Sequence, residues 1–538
     1  MAGCHDGPVP GPALATPWSP IGRRASTTGL VAAPAVVAVA LAVAVAAGIA
    51  LLLAPAAGTD LAAQQARSAF AAQHPGAAVD FGWFGAVFPA AYSVLAPYVE
   101  SLLGVRVAGV LAAVAGAPLL ALLLLRWGVR RPLLASVWGA LALVANMASG
   151  RTAFALGLTA ALAALVLVPP RGSRPLAWVP AALASILTTL ASPVAALFLG
   201  FVAVVWALRR RGLVTLAVAA AVPLAAVALL FPERGSMPDE WPVTRPLLLG
   251  CVAVAVLCRA PLLRIGAVFY AAVVLVVYAV PGPIGSNVER LGLLFTGLAL
   301  AADAALPLPL LVVAVVVAGQ WTARDPWRDL HETSALATEH AAAHRLVRIL
   351  DGLGPLTGRV EVVPFLDHGE ADVVTGPALL ARGWERQLDT VRAAPLYLSS
   401  LTGEQYADWL RGHSVEYVAL GRHRHDWSAR SELRLLAAGV PGLQVVHTDP
   451  EWTVWSVAGS PPVVGGGGHA LRLGRASIVI AADGSGSVLV DVPWSRWLTV
   501  SAGACVRRDG STVAVVPRYA GTFVLTSSYG ALFTGRRC

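Results

Sequence analysis

The chain has 538 residues, 57% of them hydrophobic and only 13% charged, with a mean hydropathy of +0.70. Soluble domains carry roughly 25% charged residues, so a wholly soluble globular protein is excluded. The net charge is +9 and every base is arginine. These arginines gather at the ends of apolar runs, as the positive-inside rule requires, so the sequence points to a membrane lipid partner and to no nucleic acid.

Residues 1–29 are rich in Pro and Gly and read as a disordered cytoplasmic segment. The apolar run 30–54 exceeds the 7–15 residues of a signal-peptide core and predicts an uncleaved first span. At about 20 apolar residues per crossing, further spans fall at 105–125, 132–149, 152–168, 212–231, 246–264, 265–281, 288–304 and 306–320. The run 175–208 is too long for one helix at 1.5 Å per residue. Pro193 disfavours helix in the residue before it, which predicts two short spans meeting at Ser192 and Pro193.

Charge sets the sidedness. Arg126, Arg130 and Arg131 follow one span, Arg171 and Arg174 another, and Arg209, Arg210 and Arg211 a third, with Arg259 and Arg264 near a later end. These clusters share one side only if 175–208 crosses twice. That parity gives about 11 spans within a polytopic domain at 30–320, a cytoplasmic N-terminus and an extracytoplasmic tail. Arg259 and Asp303 lie near span ends, from which they can snorkel to the interface.

Polar chemistry then collects on the outer side, above all in the loop 55–104. Residues 60–73 predict a short amphipathic helix in the interface, with Leu61, Ala62, Ala66 and Phe70 on its apolar face. Residues 81–104 are apolar but carry Pro89, Pro97 and Glu100, and read as an interfacial or re-entrant segment. Asp60, just past the first span, is the first candidate catalytic base, able to take a proton from a hydroxyl nucleophile; its structural alternative is a helix N-cap. Asp80 is the second, as base or cation ligand, against a plain loop aspartate. His74 reads as a loop residue.

Arg151 and Arg290 lie close to the outer surface, where a guanidinium fork suits a phosphate or an interfacial anchor. Asn287, in GSN, offers a sugar hydroxyl a donor but is equally a turn residue. No P-loop, HExxH or CxxC pattern occurs. No metal ligand set is assigned, and the cofactor is unknown, a divalent cation staying open.

The tail divides in two. Residues 321–460 alternate helix and strand signals, an α/β domain. These include a helix at 333–350, strands at 359–365 and 415–420, helices at 401–410 and 428–438, and a hairpin at 443–457. Gly465 to Gly468 read as a linker. Residues 469–538 hold only short strands with Gly, Asp and Ser turns, a small β-sandwich. Cys505 and Cys538 are candidates for a disulfide there, and Cys251 and Cys258 are packing residues. His423, Arg424 and His425 lack a spaced third ligand.

The stretches GTDLAAQ (58–64), DFGWFG (80–85), YSVLAP (92–97), SGRTAF (149–154), LASPVAALFL (190–199), GSNVERL (285–291) and ARGWERQLD (381–389) resemble those of a set of multi-pass bacterial membrane proteins. The layout resembles the GT-C class of polytopic membrane glycosyltransferases. That resemblance implies a mainly α transmembrane bundle and a lipid-phosphate-linked sugar donor such as a polyprenyl-phosphate sugar. It also implies transfer to a glycan acceptor outside, with Asp60 as base. The class places an acidic pair after the first helix; here Leu61 follows Asp60. Trp384, Glu385 and Arg386 are candidates for stacking on and hydrogen-bonding to sugar, or for an interface between tail and bundle. A multi-pass transporter and a non-catalytic envelope assembly or binding protein are the alternatives.

Overall fold

A computed structural model describes residues 27–233, 235–237, 239–331 and 336–538. Among these, six helices are long and apolar enough to cross a membrane: Ala33–Leu53, Val105–Arg126, Pro132–Ser149, Arg211–Leu230, Pro261–Ala279 and Leu308–His331. Thr152–Val166, Pro175–Ala191, Pro193–Ala207 and Trp241–Leu257 are shorter apolar helices, and Glu289–Asp303 completes the bundle.

The break in the long run lies where proline predicts it. Ser192 is extended, and its hydroxyl accepts from Ala195 N at 3.3 Å, capping the helix Pro193–Ala207. The last carbonyls of the preceding helix are satisfied by the first loop. Val94 N and Leu95 N donate to Leu190 O at 2.9 and 2.8 Å, and the Ser93 hydroxyl donates to Ala191 O at 2.8 Å. The YSVLAP and LASPVA stretches thus share one junction, which disposes of helix-end groups that apolar surroundings would leave costly.

Two boundaries differ from expectation. The turn expected after Arg264 falls at residues 258–260, because Asp303 Oδ2 accepts from Arg259 N and Ala260 N at 2.7 and 2.6 Å and fixes a break there. Asp303 is buried by this capping role and does not snorkel. The last helix, Leu308–His331, runs ten residues past Trp321 without interruption, so the tail's own elements begin beyond it.

At one end of the bundle arginines hold helix-terminal carbonyls. Arg126 donates to Val166 O and Val168 O at 2.7 and 2.6 Å, and Arg131 to Ala304 O at 3.1 Å. Cations there complement the negative ends of helix dipoles. At the opposite end Arg106 does the same for Leu51 O and Ala54 O at 2.6 and 2.8 Å.

The helix Leu61–Gln73 does not float in the interface with one free face. Leu61, Ala62, Ala63, Gln64, Ala66, Arg67, Ser68, Phe70 and Ala71 are all buried, because the tail covers the face that lipid was expected to meet. Ala63 and Ala66 pack in one cluster with Trp83, Trp384 and strand residue Val360. Their small side chains permit the close approach.

The segment that follows forms only the short helices Pro89–Tyr92 and Ala96–Leu103, too short to cross. Within the second, Glu100 is 1% exposed and neither carboxylate oxygen has a hydrogen-bond partner among the described residues. Burial pushes its carboxyl up to about 8, against a smaller pull from Arg67. A folded value above the unfolded one means stability is complete below the unfolded value and is lost as pH rises through about 8. Glu100→Gln, neutral at every pH, is therefore expected to match the parent's thermal stability at pH 4 and to exceed it by a growing margin up to pH 9, measured by differential scanning fluorimetry. Equal decline of both proteins with alkali would refute the assignment.

The tail has an α/β layer followed by a layer of strands. The helix Leu336–Leu353 (residues 333–335 of the predicted element lie outside the described residues) covers a four-stranded sheet. Its order is Arg359–Val362, Val415–Gly421, Trp452–Val457, Leu443–Thr448, with only the first pair parallel. The helix Gly403–Gly412 starts at a capping box of Thr402 and Gln405, as the sequence LTGEQ implies.

Two four-stranded antiparallel sheets then form the sandwich. The glycine run is part of it and is no linker: Val464–Gly466 and Gly468–Leu473 are strands, one in each sheet. A Cβ at Gly468 would lie 2.3 Å from Ala481 O, so glycine is what lets the chain switch sheets at that corner. Cys505 and Cys538 form a disulfide. The sandwich core also takes in Ala78, Val79, Phe81, Ala86 and Ala90 of the first loop, and Phe231 from the end of a membrane helix.

Candidate functional site

The site starts from two glycine turns. Gly58 (φ +115°) and Gly150 (φ +74°) adopt backbone that side chains rarely tolerate. A Cβ on Gly150 would sit 2.6 Å from Leu61 N, and one on Gly58 2.6 Å from Ala148 O. Only glycine lets the GTD and SGR turns touch. Asp60 N then donates to Ser149 O at 3.2 Å, and the side chains of Asp60 and Arg151 face each other.

Arg151 Nε lies 3.4 Å from Asp60 Oδ2, and Arg290 Nη2, from the first turn of Glu289–Asp303, lies 3.4 Å from the same oxygen. Asp60 precedes the helix Leu61–Gln73 yet makes no side-chain capping bond; its carboxylate faces the two guanidinium groups instead. Both arginines are largely buried, and the Nε of each has no hydrogen-bond partner among the described residues. Glu289, Asp325 and Asp329 add negative charge around Arg151. The centre therefore has two cations converging on one directly contacting carboxylate, with N–H donors to spare.

An apolar cavity approaches this centre from within the bundle. Arg290 lies 5.4 Å over the Phe154 ring, and Phe154 meets Phe198 edge-on at 6.0 Å. Phe198 lines a cavity of about 360 Å³ with Leu123, Leu162, Tyr270, Leu291 and Phe295. Leu291 directly follows Arg290, so one helix turn presents a cation to the polar centre and a leucine to the cavity.

Above the centre sits the tail. Trp384 Nε1 donates to Thr59 O, next to Asp60. Its ring stacks on His368 at 3.5 Å, and burial lowers that imidazole to about 3, so it is neutral. Arg386 lies 4.8 Å from the Trp384 ring and 4.8 Å from the ring of Trp427, which is half exposed. Arg386 is held by Asp426 at 2.8 Å and the Tyr397 hydroxyl at 2.9 Å. Glu385 pairs with Arg67 at 2.6 Å, and Arg67 lies 3.8 Å over the Tyr92 ring. Gln64 Nε2 donates to the Tyr92 hydroxyl at 2.6 Å.

The geometry therefore joins Asp60, Arg151 and Arg290, and brings Trp384 beside them through Thr59. Glu385 and Arg386 are engaged in contacts within the tail and with the first loop. Asn287 is buried in the turn Gly285–Val288, its Nδ2 3.9 Å from Met237 Sδ, three residues ahead of Arg290. Asp80 lies elsewhere, in a buried ion pair with Arg475. His425 bonds carbonyls of Pro364 and Gly421, and His423 faces Glu451 at 3.7 Å. Among the described residues no three His, Cys, Asp or Glu side chains are grouped to hold a metal ion. Arg67, Tyr92, His368 and Trp427 escape a sequence reading. Tyr92 alone had a signal, as the first residue of YSVLAP.

No protein-family model matches the sequence, and no curated protein matches it. Among solved structures, the arabinofuranosyltransferase AftD from Mycobacteria aligns at a TM-score of 0.43 and 15% identity, over 91% of this chain and 60% of that one. ArnT from Cupriavidus metallidurans, solved bound to undecaprenyl phosphate, aligns at a TM-score of 0.40 and 16% identity, over 81% of this chain and 100% of that one. The chain thus spans about 60% of the length of AftD.

Proposed function

We propose that the protein is a GT-C-type membrane glycosyltransferase that crosses the membrane about 11 times and takes a lipid-phosphate-linked sugar at the outer face. The observation that carries this reading is the convergence of Arg151 and Arg290 on Asp60 at 3.4 Å each, with an apolar cavity of about 360 Å³ inside the bundle that reaches Leu291, the residue after Arg290. The cavity accepts a prenyl chain, and the paired guanidinium groups accept its phosphate through charge-assisted hydrogen bonds. An arriving phosphate competes for both arginines and frees the Asp60 carboxylate. Asp60 then takes the proton of an acceptor hydroxyl as that oxygen bonds to the sugar's anomeric carbon. The bond from that carbon to the phosphate oxygen breaks, and the lipid phosphate leaves with its charge held by the arginines. At the tail surface Trp427, half exposed beside Arg386, offers a flat face to a glycan acceptor.

Binding of the leaving lipid tests the reading without needing the sugar. Adding a polyprenyl phosphate to the purified protein is expected to raise its melting temperature, since a ligand of the folded state alone must stabilise it. Arg151→Gln and Arg290→Gln are each expected to weaken that binding about tenfold or more, the worth of one charge-assisted contact. Equal shifts with a neutral prenyl alcohol would show that the arginines do not read phosphate and would sink the assignment.

A further inference from the structure

Phe533 is 89% exposed, a large apolar side chain left almost wholly uncovered. It belongs to residues 528–538, a hook that closes the β-sandwich and is tied down along its length. Ser528 N donates to Trp497 O at 3.0 Å, Arg537 Nη2 to Arg496 O at 2.6 Å, and Val506 N to Arg536 O at 2.8 Å. The disulfide from Cys538 to Cys505 closes it. The exposure of Phe533 is therefore built into a constrained segment.

The hook sits where a membrane helix ends. Trp497 Nε1 donates to Leu230 O at 3.0 Å, the last residue of the helix Val214–Leu230. Phe231 stacks on Trp497 at 4.9 Å and meets the Tyr529 ring at 6.0 Å. Tyr529 also lines a small pocket with Pro97 and Tyr98 of the short helix Ala96–Leu103. On these adjoining elements Leu229 and Leu102 are exposed too. The lipid-facing surface of the bundle thus continues onto the hook. Arg496, Arg536 and Arg537 flank Phe533 and are exposed.

We propose that residues 528–538 dock on the leaflet at which the helix Val214–Leu230 ends, with Phe533 seated at the headgroup–acyl boundary and Arg496, Arg536 and Arg537 on phosphates of anionic lipids. An aromatic side chain flanked by arginines suits that boundary. Docking there fixes the height of the sandwich above the bilayer, and with it the tail that covers Asp60.

The test uses the full chain in nanodiscs with p-benzoylphenylalanine replacing Phe533, or, as control, replacing exposed Val445 in the α/β layer. Photolysis is expected to give about tenfold more lipid adduct at 533 than at 445. Replacing phosphatidylglycerol by phosphatidylcholine, or combining Arg536→Ser with Arg537→Ser, is expected to lower the yield at 533 about fivefold or more, each arginine near an anionic surface contributing on that scale. Equal lipid adducts at the two positions, or a protein–protein adduct at 533, would overturn docking. Yields independent of lipid charge would overturn the role given to the arginines. Phe533→Ser serves as a folding control, since its side chain leaves no cavity.

Discussion

Asp60→Asn is expected to lower the rate of glycosyl transfer about 10²- to 10⁴-fold, the range a positioned general base contributes. Asparagine keeps the shape of the side chain and its contacts with the turn but cannot take a proton. The loss should fall on kcat, because Arg151 and Arg290, relieved of their carboxylate, still bind lipid phosphate and bind it no more weakly. The thermal shift caused by polyprenyl phosphate is therefore expected to persist or grow in the variant while turnover disappears. Analysis of cell-envelope glycans from a strain carrying only this variant, with protein level held constant, is the matching assay in cells. Wild-type turnover with Asp60→Asn would leave Asp60 a structural counter-ion and return the chain to the readings of transporter or binding protein.

The sequence discloses the helices because hydrophobic runs of membrane length have few other uses, and the kink at Ser192 because proline acts locally. Strand and helix signals in the tail are likewise local. Pairing between distant stretches is not. Nothing near Asp60 says that Arg290 lies beside it, because that contact depends on how the helix Glu289–Asp303 packs into the bundle. The helix Leu61–Gln73 has the apolar face of an interfacial helix, and the sequence around it carries no sign that the tail packs against that face. Asp303 looks like an intruder at a span end until the break at 258–260 brings two backbone N–H groups to it. The glycines at 465–468 have a linker's composition, yet they serve strands that cross closely at a sheet corner.

Asp80→Ala is expected to destabilise the protein by about 3–5 kcal/mol, the cost of breaking a buried ion pair from one side. Asp80 and Arg475 are both nearly inaccessible to solvent. Arg475 Nε lies 3.2 Å from Asp80 Oδ1, its Nη2 bonds the other oxygen, and the same Nη2 lies 3.2 Å from Ala66 O. Asp80 also accepts from Gly82 N at 2.8 Å and exchanges backbone bonds with Val87 at 2.9 Å. Around it Phe81 N reaches Arg475 O at 2.8 Å, and Val79 N reaches the Ser527 hydroxyl at 2.9 Å. The pair therefore pins the first loop to the β-sandwich, and removing the carboxylate leaves a guanidinium buried against Phe70 with one carbonyl for company. A lower melting temperature should come with faster hydrogen exchange in residues 79–88 and 473–477, while the bundle helices keep their protection. Pairing Asp80→Leu with Arg475→Met removes both charges and is expected to recover much of the loss, because a buried ion pair can often be replaced by apolar packing. That double variant also separates a structural from a chemical role for Asp80. If it regains stability and glycosyl transfer together, Asp80 acts through the interface. If stability returns without transfer, the carboxylate itself is needed in the reaction.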